Sequence, residues 1–270
     1  MIDSILNSIW ISDTHLSDRT FGDDFQPQEK KFNALLSWAI KEKIRQVGID
    51  GDFADTFESS AQNIQKNYSK LLDRLFGNFK VYLVEGNHDP LQRVIPLVQP
   101  YLTPGNFRPI RLCGLELRME TPAGTAIFLH GQKFDHEISK YPRTAAAIAI
   151  LGGALERHGF PNVDLWFSKF EKWLSETGRH TRGSKFDDAV MEYGNREKAG
   201  MVVAGHTHNW VWNSTGEVLP LYVNLGSFTS DDKPCRALTI REEGIQIVES
   251  TSRQIEVLKE LEWSDFPKPQ

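Results

Sequence analysis

The chain contains little cysteine and no strong excess of charge of either sign. Its 270 residues include two cysteines, Cys113 and Cys235, which lie far apart and lack a ligand-like spacing. A disulfide framework or a zinc–thiolate site is therefore not expected, and a reduced, cytoplasmic setting fits this composition. The net charge is −5, so a nucleic acid partner would need a local basic patch.

The sequence also lacks long apolar runs. Residues 1–6 have neither the basic start nor the long apolar segment of a signal peptide. No segment approaches the roughly 18 uncharged apolar residues that a membrane span requires. Apolar residues make up 40% of the chain and charged residues 25%, as in ordinary globular proteins. The length allows one large α/β domain or two smaller ones.

Strands and helices alternate in the first third of the chain. Short apolar runs at residues 5–12, 45–50 and 81–84 predict buried strands. Apolar residues at helical spacing predict amphipathic helices over residues 28–43 and 61–76. This alternation is typical of βαβ units with a parallel sheet.

The pattern changes after Pro96. Residues 107–129 contain short runs that predict antiparallel strands, and residues 138–198 predict a long helical stretch without strands. Residues 201–204 resume the sheet, and residues 218–248 alternate apolar and polar residues as late strands do. The last few residues are expected to be frayed.

Five short motifs each end an apolar run and contain residue types that bind metals. They are Asp13-Thr14-His15, Gly51-Asp52-Phe53-Ala54-Asp55, Gly86-Asn87-His88-Asp89, His130-Gly131 and Gly205-His206-Thr207-His208. In open α/β sheets, ligands bind at the carboxyl ends of strands. Taken alone, the Asp-x-His, Gly-Asp-x-x-Asp and Gly-Asn-His-Asp motifs are typical of loops, turns or helix caps, whereas two histidines two residues apart after an apolar strand rarely serve packing. Their joint occurrence, each at a strand end, favours a metal centre.

The donor atoms in these motifs suit hard or borderline cations. Imidazole, carboxylate and amide oxygen favour manganese, iron, zinc or cobalt over Cu(I). Seven residues could supply ligands: Asp13, His15, Asp52, Asn87, His130, His206 and His208. One bridging carboxylate would give each of two ions four protein ligands and leave positions for water and substrate. Two ions roughly 3.5–4 Å apart can hold a hydroxide for in-line attack on a phosphoryl group.

The ordered motifs resemble the calcineurin-like metallophosphoesterase superfamily over residues 10–230. The resemblance implies a four-layer α/β/β/α sandwich with the site at one edge. It implies a core of residues 1–135 and 199–250, a helical insert or lid at 136–198, and a C-terminal tail at 251–270. The cofactor implied is a pair of divalent ions, manganese first, with iron, zinc, cobalt or nickel as alternatives.

The resemblance also implies a role for each motif residue. The first ion would be held by Asp13, His15 and His208. The second would be held by Asn87, His130 and His206, and Asp52 would bridge the two.

His88 would contact the phosphoryl oxygens or protonate the leaving group, and Asp55 would orient it. A histidine next to a ligand can act as a general acid, and a carboxylate behind it fixes its tautomer and raises its pKa. For Asp55 and Asp89, a loop cap is the alternative role. Asp50 has no assigned role beyond added negative charge near the ligands or solvation.

The segments 130–135 and 222–228, with the helical insert, resemble the UDP-2,3-diacylglucosamine pyrophosphatase-like branch. In that branch the insert forms a lid over the substrate. Enzymes of that branch carry arginine where this chain has His88, a departure that concerns the lipid and leaves the phosphoester chemistry untouched.

The insert contains two further features. The apolar run 145–155 could line an acyl-chain groove, touch a membrane surface, face a partner subunit, or pack on the core. The basic stretch 179–185 could bind a second phosphate or remain a solvated loop. Its candidate substrate-binding residues are Arg179, Arg182 and Lys185. His136 and His158 are interpreted as surface residues.

The leading hypothesis is hydrolysis of a phosphodiester or pyrophosphate bond by metal-activated hydroxide, with nucleotide-linked lipids of the UDP-2,3-diacylglucosamine type among the substrates. The alternatives are a phosphodiesterase or nuclease, a phosphomonoesterase with a closed lid, and an inactive binding protein. A nuclease of the repair type would be expected to have a basic channel and a capping domain after the last motif. The short tail of this sequence argues against that alternative. A binding protein on this fold would be expected to lose ligands, and all seven remain. The oligomeric state stays open.

Overall fold

The computed structural model of this chain describes residues 5–20, 23–102, 108–135, 182–213, 220–229 and 235–266. These residues form four layers: three helices, a seven-stranded sheet, a five-stranded sheet and a further helix. The predicted α/β/β/α sandwich is confirmed. The central part of the predicted insert, residues 136–181, lies outside the described residues and stays a prediction.

The first sheet has the strand order β12-β11-β10-β1-β2-β3-β4. Its parallel half consists of β1 (Ser8–Ile11), β2 (Gln46–Asp50), β3 (Lys80–Val84) and β4 (Ile110–Leu112). Its antiparallel half consists of β10 (Cys235–Ile240), β11 (Gly244–Ser250) and β12 (Ile255–Glu262). The segment after residue 250, assigned to the tail, therefore includes an edge strand.

The second sheet has the order β5-β6-β7-β9-β8. Its strands are β5 (Glu116–Thr121), β6 (Gly124–Leu129), β7 (Met201–Ala204), β8 (Trp210–Asn213) and β9 (Leu221–Leu225). Strands β6, β7 and β9 are parallel, whereas β5 and β8 run antiparallel to their neighbours. The expectation of antiparallel strands throughout 107–129 is wrong for β4. That strand pairs parallel with β3, because a crossover returns the chain in the same direction.

Helices cover the outer face of each sheet. On the first sheet lie α1 (Glu29–Lys41), α2 (Ala61–Asn78) and α3 (Leu91–Val98). Helix α4 (Arg182–Arg196) lies on the second sheet, where Phe186 and Val190 pack with Ile127 and Val202. The end of the predicted insert thus forms the fourth layer of the sandwich.

The two sheets pack on each other through aromatic side chains. Trp10 of β1 and Phe128 of β6 are fully buried and stack with ring centroids 3.7 Å apart. Gly48 of β2 makes room for this pair, since a Cβ there would lie 2.1 Å from Trp10 Cε3. This contact joins β1 of the first sheet to β6 of the second, and a motif follows each of these strands.

Phe128→Ala is expected to lower the free energy of unfolding by about 3–5 kcal/mol, because it leaves a cavity beneath Trp10. Urea denaturation followed by tryptophan fluorescence measures the change. Leu115→Ala is the matched control, since Leu115 is 54% exposed, and its effect should stay within about 0.5 kcal/mol. Equal losses in the two variants would contradict the importance of the inter-sheet stack.

No helix among the described residues is both long enough and apolar enough to cross a bilayer. Cys113 is a partly exposed free thiol, and Cys235 is a buried one.

Candidate metal centre

All five motifs lie at one edge of the sandwich, each after the carboxyl end of a strand. Asp13 follows β1, Asp52 follows β2 and Asn87 follows β3 in the first sheet. His130 follows β6 and His206 follows β7 in the second. Because strands are parallel within each set, their ends meet at the same edge, and both sheets contribute donors to one site.

The backbone at this edge is strained. Five of the seven predicted ligands have positive φ: Asp13 (52°), His15 (47°), Asp52 (49°), His206 (74°) and His208 (55°). A non-glycine residue in this region costs about 1–3 kcal/mol and persists only when its surroundings enforce it, commonly at functional sites. Here, hydrogen bonds from Asp13 N to Gly51 O (3.2 Å) and from His15 N to Asp52 O (2.9 Å) enforce the conformation.

Two glycines permit the close approach of these loops. A Cβ at Gly86 would lie 2.1 Å from Asp52 Oδ1, and one at Gly205 would lie 1.9 Å from Ser12 Oγ. Any larger residue at either position would displace a predicted ligand loop.

Asp13, His15 and His208 form the first cluster. His208 Nε2 lies 3.1 Å from Asp13 Oδ1 and 3.3 Å from His15 Nε2. Asp13 Oδ2 accepts hydrogen bonds from Ser12 Oγ (2.5 Å) and His206 N (3.1 Å). Asp13 Oδ1 is buried and faces His208 Nε2 at 3.1 Å and His15 Nε2 at 3.8 Å. A buried carboxylate oxygen that faces two imidazole nitrogens fits a divalent cation.

Asn87, His130 and His206 form the second cluster. Asn87 Oδ1 lies 3.1 Å from His130 Nε2 and 3.0 Å from His206 Nδ1. The other nitrogen of His130, Nδ1, lies 2.9 Å from Asp50 O and can donate to it. In the neutral ring, Nε2 then carries a lone pair that points at the Asn87 oxygen. Lone pairs facing one another favour a cation between them.

Asp52 lies between the two clusters. Its Oδ2 is 3.0 Å from His130 Nε2 and 3.7 Å from His15 Nε2. Its Oδ1 accepts a hydrogen bond from His88 N at 2.8 Å. One carboxylate oxygen therefore faces a histidine of each cluster, as the predicted bridging role requires.

The buried carboxylates give the site a negative charge that raises the pKa of two of its histidines. Burial lowers the pKa of His130, but the charges of Asp52 and Asp13 outweigh it and raise the pKa to about 10. The pKa of His15 is likewise raised well above its usual value, since Asp55, Asp13 and Asp52 outweigh burial. A site that raises the pKa of buried histidines in this way binds positive charge, either protons or metal ions.

His88 and His15 share one carboxylate oxygen. Asp55 Oδ1 lies 2.7 Å from His88 Nδ1 and 2.8 Å from His15 Nδ1. Asp55 is buried, whereas the side chain of His88 is 26% exposed at the edge of the site. The family resemblance implied that Asp55 orients His88, and the structure adds that Asp55 contacts the predicted ligand His15 as well. Donor atoms of His15, Asp52 and His88 also lie within 4.8 Å of one another.

Asp89 and Asp50 lie behind the predicted ligands. Asp89 accepts hydrogen bonds from the backbone N–H groups of Gly86 (2.9 Å), Asp52 (3.1 Å) and Phe53 (2.7 Å), so it joins two motif loops. Asp50 is fully buried, and burial raises its pKa well above the usual value.

Of the three basic residues proposed to bind substrate, the structure describes two. Arg179 is outside the described residues, and Arg182 begins helix α4, where only its backbone is described. Lys185 is exposed on the same helix. Their role stays a prediction.

Two residues that support the site were missed by sequence reasoning. Asn224 is buried, and its Nδ2 donates to Gly205 O (3.0 Å) and Thr207 Oγ1 (3.1 Å), which holds the His206–His208 turn. Asp135 Oδ2 lies 3.1 Å from His206 Nε2. Asn224 could have been found because it is the only amide side chain within the apolar strand 221–225. Nothing in the sequence indicated that Asp135 contacts His206.

Comparisons with known proteins give a match at the level of family. No characterised protein matches the chain by sequence. Among solved structures, a single mutant of Vps29 from Entamoeba histolytica is similar at 14% identity, with a TM-score of 0.47 over 94% of this chain and 98% of that one. A dimetal phosphatase from Danio rerio is similar at 12% identity, with a TM-score of 0.48 over 95% and 99%.

The family comparison covers most of the chain. A model of the calcineurin-like phosphoesterase family matches residues 7–210, which include every predicted metal ligand. The resemblance to the superfamily is thereby confirmed, whereas the UDP-2,3-diacylglucosamine pyrophosphatase-like branch stays a prediction. The chain belongs to the calcineurin-like phosphoesterase family.

Proposed function

We propose that this chain hydrolyses a phosphodiester or pyrophosphate bond with the help of two divalent metal ions. The observation that carries the proposal is the convergence of seven oxygen and nitrogen donors into two clusters joined by Asp52. Asp13 Oδ1, buried and facing the Nε2 atoms of His208 (3.1 Å) and His15 (3.8 Å), supports a cation in the first cluster.

The donors divide as the family resemblance implies. The first ion would be held by Asp13, His15 and His208. The second would be held by Asn87, His130 and His206, with Asp52 shared. Manganese suits this mixture of nitrogen and oxygen donors. When bound, the two ions would neutralise phosphoryl charge and supply a water-derived nucleophile at neutral pH.

His88 would act on the substrate directly. Asp55 engages its Nδ1, so Nε2 remains to face a bound phosphate ester. Burial lowers the pKa of His88, but Asp52 and Asp55 outweigh it and raise the pKa to about 9. A protonated imidazole can donate a hydrogen bond to a phosphoryl oxygen or a proton to the leaving oxygen. Asp55 would hold the ring in place for that transfer.

The finer proposal for the substrate is a nucleotide-linked lipid of the UDP-2,3-diacylglucosamine type. Its support is the similarity of segments 130–135 and 222–228 to that branch. His88 replaces the arginine of that branch, and with Nδ1 engaged by Asp55 it offers the substrate one N–H donor where arginine offers a fork of several. Another nucleotide or small phosphodiester is therefore the principal competitor.

A substrate panel tests the proposal. The purified chain is loaded with Mn²⁺ and given UDP-2,3-diacylglucosamine, nucleoside diphosphates, cyclic nucleotides, single-stranded DNA, phosphomonoesters and bis(p-nitrophenyl) phosphate. Turnover of the chromogenic diester that EDTA removes and Mn²⁺ restores is expected. Cleavage of the lipid nucleotide alone would identify the branch, and cleavage of DNA would favour a nuclease. A chain with two bound ions that turns over none of these would be a binding protein.

A further inference from the structure

We propose that Asp135 is a positioning residue that makes His206 present its Nδ1 to the second metal ion. This inference rests on the proposed function. The carboxylate oxygen Oδ2 of Asp135 lies 3.1 Å from His206 Nε2. Both side chains are nearly buried, at 5% exposure for Asp135 and 6% for His206. Water therefore competes weakly for this contact.

The two nitrogens of His206 face different acceptors. Nε2 faces the carboxylate of Asp135, and Nδ1 lies 3.0 Å from the amide oxygen of Asn87. A neutral imidazole carries one proton, so only one of the two acceptors can receive it. A carboxylate accepts a stronger hydrogen bond than a neutral amide oxygen. Asp135 thus draws the proton to Nε2 and leaves a lone pair on Nδ1.

Without Asp135, the other tautomer becomes competitive. Nδ1–H would then donate to Asn87 Oδ1, which would occupy two of the donors proposed for the second ion. Binding the ion would first require breaking that hydrogen bond and moving the proton. A loss of metal affinity follows directly from this competition.

Two other predicted ligands are held in the same way through the nitrogen that faces away from the site. His15 Nδ1 lies 2.8 Å from Asp55 Oδ1, and His130 Nδ1 lies 2.9 Å from Asp50 O. Oriented imidazoles of this kind are typical of metal sites. Asp135 completes the pattern for His206.

The turn that carries Asp135 is itself anchored. Residues Gln132–Phe134 form a 3₁₀ turn, in which Phe134 N donates to Gly131 O (2.8 Å) and Asp135 N donates to Gln132 O (3.3 Å). Gln132 Nε2 donates to Glu85 O at 3.2 Å, and the Phe134 ring lies 5.3 Å from that of Tyr193. The carboxylate is therefore presented from a packed turn between the second sheet and helix α4.

Asp135→Asn and Asp135→Ala test this role by Mn²⁺ titration calorimetry and by metal content after dialysis. The affinity for one ion should fall about tenfold in the asparagine variant and up to 100-fold in the alanine variant, while the other ion binds normally. Asp23→Asn is the matched control, because Asp23 is equally buried and pairs with Tyr68 OH (2.8 Å) instead of a site residue. That variant should bind both ions as wild type does.

A double-mutant cycle separates positioning from a general structural role. If Asp135 acts through His206, then Asp135→Asn should cause no further loss of affinity in a His206→Gln background. The same additional loss in both backgrounds would overturn the proposal. So would wild-type affinity for both ions in Asp135→Asn and Asp135→Ala. A wild-type chain that binds no metal would instead overturn the proposed function itself, and the positioning role with it.

Discussion

Asp52→Ala is expected to eliminate binding of both metal ions at once. Asp52 Oδ2 lies 3.0 Å from a histidine of the second cluster and 3.7 Å from a histidine of the first. Removal of this oxygen would take a proposed ligand from each ion, together with the negative charge that offsets the repulsion between the two cations. Metal content after equilibrium dialysis against Mn²⁺ measures the loss.

A matched variant makes this test selective. His208→Ala removes a donor from the first cluster only, so one ion should remain bound. Asp52→Asn keeps the size of the side chain and an oxygen that can accept from His88 N, so it separates loss of charge from loss of the loop contact. Circular dichroism checks that each variant is folded. Two ions retained by Asp52→Ala would show that the bridging role is wrong.

His88→Ala is expected to keep both ions and to lose about 10²–10⁴ in kcat. His88 belongs to neither of the two proposed ligand sets, and its partly exposed ring is held by Asp55 at the edge of the site. Its removal takes away a proton donor without removing a proposed ligand. Steady-state kinetics on the best substrate of the panel, with metal content measured on the same samples, checks both halves of the prediction.

The metal content of His88→Ala also distinguishes a second arrangement. Because its donor atoms lie within 4.8 Å of those of His15 and Asp52, loss of an ion in this variant would identify His88 as a ligand. An unchanged kcat would remove it from the mechanism. Asp55→Asn is the comparison, since Asp55 also contacts His15, and that variant should reduce both the rate and the affinity for one ion.

Much of the fold could be predicted from local pattern. The strands that precede Asp13, Asp52 and His206 are short apolar runs that end at glycine or a polar residue, and each forms where expected. Helix α1 begins and ends within two residues of its prediction, because Phe32 and Leu36 bury one face at helical spacing. The orientation predicted for strand β4 was wrong, because the sequence of a three-residue strand does not indicate whether it pairs parallel or antiparallel with the next strand in the sheet.

Part of the candidate site could likewise be predicted from the sequence, and part could not. Motif order predicted the candidate donor residues, because each follows a strand whose end must lie at one edge, and the family resemblance implied that Asp52 is shared. The left-handed conformations, the double contact of Asp55 and the contact between Asp135 and His206 depend on how loops from two sheets meet. Adjacent sequence contains no signal for such contacts, since the partners are far apart in the chain.

By itself, the sequence determined the chemical types of the donors and their place at strand ends, because residue identity and apolar periodicity are local properties. Only the tertiary structure decided which nitrogen of His15, His130 and His206 faces the site and which oxygen of Asp52 lies between the two clusters. The physical reason is that a ring has two nitrogens and a carboxylate two oxygens. Which of the two atoms faces the site depends on the groups that tertiary packing places against the other atom.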